Sequence, residues 1–193
     1  MFAWGGTLHK KLGQRAGRPG IIATLEKKIV VSVDCGDFHS AALTNKGELY
    51  TWGGGGAHFN KGQLGHGSLN DIENPELVKF FEGDEVQTIS CGGFHTIALT
   101  NTGAFGWGSG TYGELGIGEF IDISKPRAIQ IKLKGADAVE FADPADTRIV
   151  KVKCGGHHSL FLSGSSFIPN VSHWVIVFMW IWKSWTTWSQ NSI

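Results

Sequence analysis

The sequence carries no net charge, because 17 basic residues balance 17 acidic ones in a chain of 193 residues. A neutral chain is not, as a whole, a binder of polyanions such as nucleic acid or chromatin. It also lacks a long hydrophobic run. The apolar stretch at 174–182 is too short for a membrane helix, which needs about 20 residues. No signal peptide is visible, since Trp4 and Gly5 already belong to a recurring pattern.

The charge that is present is uneven. Residues 1–30 are mainly basic and residues 71–85 are mainly acidic. The two segments are either rim patches for a charged partner or solvated connecting loops. Connecting segments usually run over the surface, which favours solvated loops.

The chain repeats itself. CGDFHSAALT at 35–44 returns as CGGFHTIALT at 91–100 and as CGGHHSLFLS at 154–163. Between these phrases, WGGGGAHFNKGQLGHG at 52–67 returns as WGSGTYGELGIG at 107–118. The first 30 residues match half of one unit. Such self-similarity is typical of a repeat architecture, in which each unit is one supersecondary element.

These phrases resemble the regulator of chromosome condensation repeat family, whose members fold as seven-bladed β-propellers. The resemblance covers residues 1–165. It implies an all-β fold: a partial β-propeller of about three four-stranded antiparallel blades, followed by a non-homologous, tryptophan-rich tail at 166–193. The residues that recur in register form a structural repeat signature: Cys35, His39, Trp52, Gly53, Leu64, Gly65, Cys91, His95, Trp107, Gly108, Leu115, Gly116, Cys154 and His158.

The residue pattern also predicts strands without the family. Alternating apolar and polar positions are typical of strands with one buried face. We predict strands near 29–34, 39–44, 48–53, 86–90, 95–100, 104–107 and 149–153. Asn45-Lys46-Gly47 and Asn101-Thr102-Gly103 are predicted to be three-residue hairpin loops with glycine in the left-handed conformation. Periodic glycine, 28 residues in all, supports a repeat rather than a low-complexity segment.

Each repeat places a cysteine four residues before a histidine. Equivalent cysteines in successive blades lie too far apart for a disulfide, so we expect three buried thiols in a reducing, intracellular compartment, cytoplasmic or nuclear. One cysteine–histidine pair per blade does not converge on a point, as a metal site requires. The histidines are therefore predicted to stabilise their blades by hydrogen bonds to backbone.

No catalytic or cofactor site is predicted. The stretch 108–113 matches G-x-G-x-x-G, but no helix start follows it, and the glycines at 53–56 lack the ending of a phosphate loop. The family's plant ultraviolet-B photoreceptor carries tryptophan in the phrase where this chain has Phe38, Phe94 and His157. The difference argues against light sensing. We expect no enzyme activity, no cofactor, no metal and no small-molecule substrate.

The tail after 166 holds five of the eight tryptophans. Their spacing matches that of the repeat's glycines, and a tryptophan codon read one nucleotide later encodes glycine. We hypothesise that the tail is the next repeat read out of frame, behind extra residues around 165–173. The alternative is an unrelated tryptophan-rich tail. On either view the tail is predicted to add no set of blade strands.

The function predicted from these features is a non-catalytic protein-binding scaffold with an unidentified protein partner. One alternative is a guanine-nucleotide exchange factor for a small Ran-like GTPase, as in the family's namesake. Another is the propeller fragment of a larger ubiquitin ligase or signalling protein. Because an open propeller leaves strand edges and blade faces uncovered, the isolated chain is also expected to self-associate.

Overall fold

The computed structural model describes residues 1–4, 19–129, 149–163 and 175–179. Within these residues the chain is all-β, as predicted, with one short helix, α1 (Gly56–Phe59), and two 3₁₀ turns at Ala23–Leu25 and Lys79–Phe81. The strands are β1 (Phe2–Ala3), β2 (Gly20–Ile21), β3 (Val30–Cys35), β4 (His39–Thr44), β5 (Leu49–Gly53), β6 (Ile72–Leu77), β7 (Val86–Cys91), β8 (His95–Thr100), β9 (Ala104–Gly108), β10 (Ile123–Ala128), β11 (Ile149–Cys154), β12 (Ser159–Ser163) and β13 (Val175–Met179).

Two antiparallel sheets form complete four-stranded blades in which chain neighbours are also sheet neighbours. Blade 1 contains β3 to β6, and blade 2 contains β7 to β10. Blade 3 contains β11, β12 and β13 in the same order, while β1 and β2 pair as a half-blade. All seven strands predicted from the sequence are present, each within one residue of its predicted bounds. The partial propeller is thereby confirmed.

The predicted hairpin loops are present, with one difference. Residues 101–103 join β8 to β9, whereas the first loop also takes in Glu48, because β5 begins at Leu49. Gly47 has the predicted left-handed backbone, with φ +73°, and Gly103 has φ +149°. The two loops are therefore not copies of each other, although their sequences align.

The first strands of successive blades lie side by side. The Cys91 amide donates to Asp34 Oδ2 at 2.9 Å, which joins β7 to β3. The Cys154 amide donates to Ser90 Oγ at 3.0 Å, which joins β11 to β7. The strands β3, β7 and β11 are therefore innermost in the arc, and the fourth strands of blades 1 and 2 are outermost. An edge position tolerates the Pro75 and Pro126 of those outer strands, since proline has no N–H to donate.

The hydrophobic core lies between the blades. The second strands β4 and β8 are buried along their whole length. The core between blades 1 and 2 includes Ala41, Leu43, Leu49, Ile89, Cys91, Ala98 and Trp107. The core between blades 2 and 3 consists of Ile97, Leu99, Ala104, Ile129, Val152 and Phe161. We call each such contact between blades a junction.

The half-blade supplies part of a further junction. Ile22 and Leu25 pack against Ala42 and Trp52 of blade 1. Their equivalents one repeat later, Val78 and Phe81, pack in the same way against Ala98 and Trp107 of blade 2. Residues 19–25 therefore cover the outer part of blade 1, as the sequence match of the first 30 residues to half a repeat predicts.

No set of blade strands is predicted for the tail, and its described residues add one strand, Val175–Met179. This segment forms β13 and pairs antiparallel with β12 over five residues, from Ser159↔Met179 to Ser163↔Val175. Backbone pairing requires an extended chain rather than the repeat's side chains, and a run of valine, isoleucine and phenylalanine favours extension. The other tail residues, 166–174 and 180–193, lie outside the described residues, so the domain boundary at 165/166 is not tested.

Candidate protein-docking surface

The signature histidines tie successive blades together. His39 Nε2 lies 2.8 Å from Thr96 Oγ1 of the next blade, and His95 Nε2 lies 3.0 Å from Ser159 Oγ. Thr96 Oγ1 in turn donates to the Gln63 carbonyl at 2.9 Å, and Ser159 Oγ donates to the Glu114 carbonyl at 2.8 Å. The prediction of a backbone partner for the ring is therefore wrong. Each ring forms a hydrogen bond with a hydroxyl across the junction. That hydroxyl forms a second hydrogen bond with a backbone carbonyl.

This arrangement fixes the protonation of both rings. Because the single hydroxyl proton goes to a carbonyl, the hydroxyl accepts, and Nε2 must be the protonated nitrogen. Burial lowers the pKa of His39 to about 4. The pKa of His95 is lowered to about 3, mainly by burial and further by the charges of nearby histidines. The rings are therefore neutral near neutral pH, and the Nε2–H group of each is used in the hydrogen bond across the junction.

The glycine of each Cys-Gly pair makes room for the ring. A Cβ added at Gly36 would lie 2.4 Å from His39 Cε1, and one added at Gly92 would lie 2.0 Å from His95 Cε1. Real Cβ atoms do not approach other atoms so closely. The recurring Cys-Gly-x-x-His spacing is therefore a packing requirement of the junction.

The Trp-Gly and Leu-Gly residues of the signature serve the same junction. Trp107 Nε1 donates to the Gln63 carbonyl at 2.9 Å, and a Cβ at Gly65 would lie 2.7 Å from that nitrogen. Leu64 and Leu115 are buried.

Trp52 is buried against the half-blade. Gly53 ends β5, just as Gly108 ends β9. Gly116 donates to the Gly113 carbonyl within its turn.

The three cysteines are free thiols, but the prediction that all three are buried is wrong. Cys91 is buried, Cys154 is half-buried and Cys35 is exposed. Burial raises the pKa of Cys91 well above its ordinary value and that of Cys154 to about 11. Cys35 differs because, in the part of the chain that the structure describes, no inner hairpin of a preceding blade covers its face of blade 1.

The signature residues other than Cys35 and His158, which are exposed, serve packing. The surface feature that stands out is a row of aromatic rings, which we call the aromatic row. Phe38 stacks on Phe59 with ring centroids 4.6 Å apart and planes 8° apart. Phe38 is also 5.3 Å from Phe94, which lies 6.1 Å from His157. Tyr112 completes the row 4.9 Å from His157. The row crosses all three blades.

The topology explains why these rings meet. Phe38, Phe94 and His157 stand in the hairpins that join the first strand of each blade to the second. Phe59 and Tyr112 stand in the connections from the third strand to the fourth, which reach the same rim. Phe59 is 42% exposed and Tyr112 is 62% exposed, so the row is open at both ends.

The glycine run before α1 allows the stack to form. Gly55 has φ +99°, and a Cβ there would lie 2.6 Å from Phe59 Cβ and 3.1 Å from Phe38. Asp71 accepts the Gly56 amide at 2.9 Å and holds the first turn of α1. The run rejected as a phosphate loop thus positions Phe59.

The loops of this rim are acidic. Lys61 is the one lysine or arginine on the loops 36–38, 54–71, 92–94, 109–122 and 155–158, and it lies 3.9 Å from Asp122. The carboxylates on these loops are Asp37, Asp71, Glu114, Glu119 and Asp122. Glu114 is buried and accepts from Ser109 Oγ at 2.7 Å. Within the described residues, no three histidine, cysteine or acidic side chains converge as metal ligands would.

Comparison with known proteins identifies the repeat. Residues 46–99 and 103–162 match the regulator of chromosome condensation (RCC1) repeat, and a second form of the repeat matches residues 86–114. The chain belongs to this family. It is 35% identical over 175 residues to the human E3 ubiquitin-protein ligase HERC2, and 33% identical over 158 residues to the human protein RCC2. These matches cover 87% and 80% of the chain, but 3% and 27% of the relatives.

The fold of the RCC1-repeat propeller is also found among solved structures. The yeast protein Prp20p superposes with a TM-score of 0.66 at 20% identity, over 88% of this chain and 40% of that one. The chain thus spans less than half of the propeller it resembles. No helix within the described residues is long and apolar enough to span a membrane.

The sequence indicates part of the aromatic row. Phe38, Phe94 and His157 are noticeable because they replace tryptophan in a recurring phrase, which by itself argues only against light sensing. Phe59 and Tyr112 carry no repeat signal, since their positions differ between the two Trp-Gly phrases. Their contribution depends on loops from different blades meeting at one rim.

Proposed function

We propose that the chain is a non-catalytic protein-binding module that docks its partner on the aromatic row. The continuous row of ring contacts from Phe59 to Tyr112 carries this proposal. Rings held against one another present large apolar area at low entropic cost, and aromatic residues dominate protein-binding hot spots. The free thiols fit an intracellular setting, cytoplasmic or nuclear.

The acidic loops around the row indicate the chemistry of the partner. A partner surface with arginine would stack its guanidinium groups on the rings and face the carboxylates of Asp71 and Asp122. An acidic partner such as a nucleic acid would be repelled by the same loops. We therefore propose a basic protein surface as the partner.

Quantitative affinity capture with two matched variants tests this proposal. The double variant Phe59→Ala/Tyr112→Ala removes both open ends of the row. The control, Leu69→Ala/Ile121→Ala, removes aliphatic residues that are 60% and 48% exposed on loops of the same rim. Proteins captured by the wild type and the control should be lost from the row variant. Equal capture by all three chains would overturn the docking site.

Guanine-nucleotide exchange remains the second candidate. It is favoured by the likeness to Prp20p, which has been studied for binding to Gsp1p and histones. An exchange factor must accelerate nucleotide release from a small Ran-like GTPase. A release assay that shows acceleration by this chain would favour exchange, and an unchanged rate would favour the non-catalytic module. The HERC2 match supports a third candidate, a propeller segment of a larger ligase.

A further inference from the structure

The two complete junctions use the same residue positions. Two residues before the repeat cysteine, Ile89 and Val152 are 3% and 1% exposed, because the preceding blade covers each of them. The covering residues of blade 2 are Ile97 and Leu99, which are also buried. The histidine–hydroxyl tie described above completes each junction. A junction thus has a donor face, with a histidine, and an acceptor face, with a hydroxyl.

Blade 1 carries an acceptor face that is only half covered. Its outer part is packed by the half-blade, as described above. At its inner part, Val33 occupies the position of Ile89 and Val152 but is 54% exposed, and Cys35 is exposed as well. Ser40 stands where Thr96 and Ser159 stand. Among the described residues, no inner hairpin of a blade covers this part of the face.

Blade 3 carries the matching donor face. His158 is exposed, although its equivalents His39 and His95 are fully buried at junctions. Leu160 and Leu162 are half-buried, whereas their equivalents Ile97 and Leu99 are 0% and 4% exposed. The hairpin of β11 and β12 is therefore the element that the half-blade of β1 and β2 lacks.

We propose that two copies of the chain close into one ring, in which the β11–β12 hairpin of each copy completes the half-blade of the other. Leu160 and Leu162 of one copy would cover Val33 and Cys35 of the second, and His158 would donate to Ser40. Each copy then contributes two complete blades and two halves. The ring has about six blades, within the range of four to eight that propellers use.

The chain cannot make this contact within itself. The donor face of blade 3 and the acceptor face of blade 1 are separated by blade 2, and closure by about three blades would fall below the smallest propeller. A head-to-tail contact between copies either closes or grows into an open filament. A two-fold ring uses every donor and acceptor face, so closure is the expected outcome.

The tail strand β13 competes with this closure. By repeat position, Phe2–Ala3 of β1 correspond to Tyr50–Thr51 of a third strand, so β1 of the second copy belongs on the edge of β12. In the single chain that edge is occupied by β13. In the two-copy ring, either β13 separates from β12, or the two-residue β1 of the second copy cannot pair there. Weaker pairing of β13 with β12 should therefore strengthen association.

Sedimentation velocity over a range of concentrations, with substitutions in the full chain, tests the acceptor face. The wild type should show a reversible equilibrium between one and two copies. Val33→Asp buries an unpaired charge at both contacts and should weaken association at least about 100-fold. The matched control is Val31→Asp on the same strand. Val31 is 60% exposed, and its equivalents Gln87 and Val150 are exposed at complete junctions, so the control should associate like the wild type.

Two further variants test the donor side. His158→Ala should weaken association about tenfold, since a buried hydroxyl loses its donor at both contacts. Ile176→Pro/Val177→Pro removes the N–H groups of two successive residues in β13, one of which faces β12, and should tighten association. A chain that stays single at every concentration, a ladder of larger species, or equal effects of the Val33 and Val31 variants would overturn the proposal. Unchanged or weaker association of the double-proline variant would overturn the competition by β13.

Discussion

At the scale of single residues, the buried imidazoles of His39 and His95 explain why the Cys-Gly-x-x-His phrase recurs. Each ring lies on a glycine and donates across a junction to a hydroxyl that is itself bonded to a carbonyl. Nδ1 of both rings has no hydrogen-bond partner within the described residues. Burying an unprotonated nitrogen without a partner costs less free energy than burying a charged imidazolium, so the neutral ring can occupy this position.

The substitution His95→Ala should destabilise the junction between blades 2 and 3. It removes the donor to Ser159 and leaves a buried cavity, which together should lower the free energy of unfolding by about 1–3 kcal/mol or more. Urea titration monitored by tryptophan fluorescence measures the change. His58→Ala, at an exposed position of α1, is the control and should be near neutral. Zinc at one ion per chain, lost on substitution of His95, would contradict a purely structural role.

Acidification should weaken the fold through the same two histidines. Their pKa values in the folded chain, about 4 and about 3, lie below the ordinary 6.5. The unfolded chain therefore binds more protons between these values, and stability present above pH 6.5 is lost as the pH falls. Between pH 6 and its folded pKa, each histidine should contribute a slope approaching about 1.4 kcal/mol per pH unit. Unfolding free energies of the wild type and His39→Asn/His95→Asn between pH 7 and 5 check this. An equal slope in the variant would contradict it.

At the scale of elements, the sequence predicts inner strands better than outer ones. The first three strands of a blade alternate between apolar and polar residues or carry the recurring phrases, because their faces meet other blades. The outer strands β6 and β10 contain charged residues and Pro75 or Pro126, since an edge tolerates them. The sequence does not predict helix α1, because a glycine-rich segment disfavours helix. The stack of Phe59 on Phe38 depends on how loops meet in space.

The register of β13 bears on the out-of-frame hypothesis. Ser159 pairs with Met179, as Ser40 pairs with Trp52 and Thr96 with Trp107. A signature glycine follows each of those two tryptophans. In the sequence, Trp180 follows Met179, and the tryptophan codon encodes glycine when it is read in the shifted frame. We therefore predict that sequencing the transcript across the codons for 164–180 reveals extra nucleotides that shift the frame. A continuous frame with no repeat in the shifted reading would contradict the hypothesis.

At the scale of the whole molecule, the blades form a one-dimensional array. Each blade contacts only its neighbours, so stability is approximately the sum of blade terms and junction terms. Blade 2 has complete junctions on both sides. Blade 1 has one complete junction and the half-covered face around Val33, which is 54% exposed. Stability should therefore be graded along the arc, although the blades share the same recurring phrases.

Amide hydrogen exchange measured by mass spectrometry should show this gradient. The strands β4 and β8 are a matched pair: their sequences are HSAALT and HTIALT, and both are buried throughout. Because blade 2 is supported on both sides, the amides of β8 should exchange more slowly than those of β4 at low protein concentration. Raising the concentration should protect β4 more than β8, since a second copy would cover the open face of blade 1. Identical protection of the two strands at every concentration would show instead that the arc unfolds as one cooperative unit, with no weak end for a second copy to support.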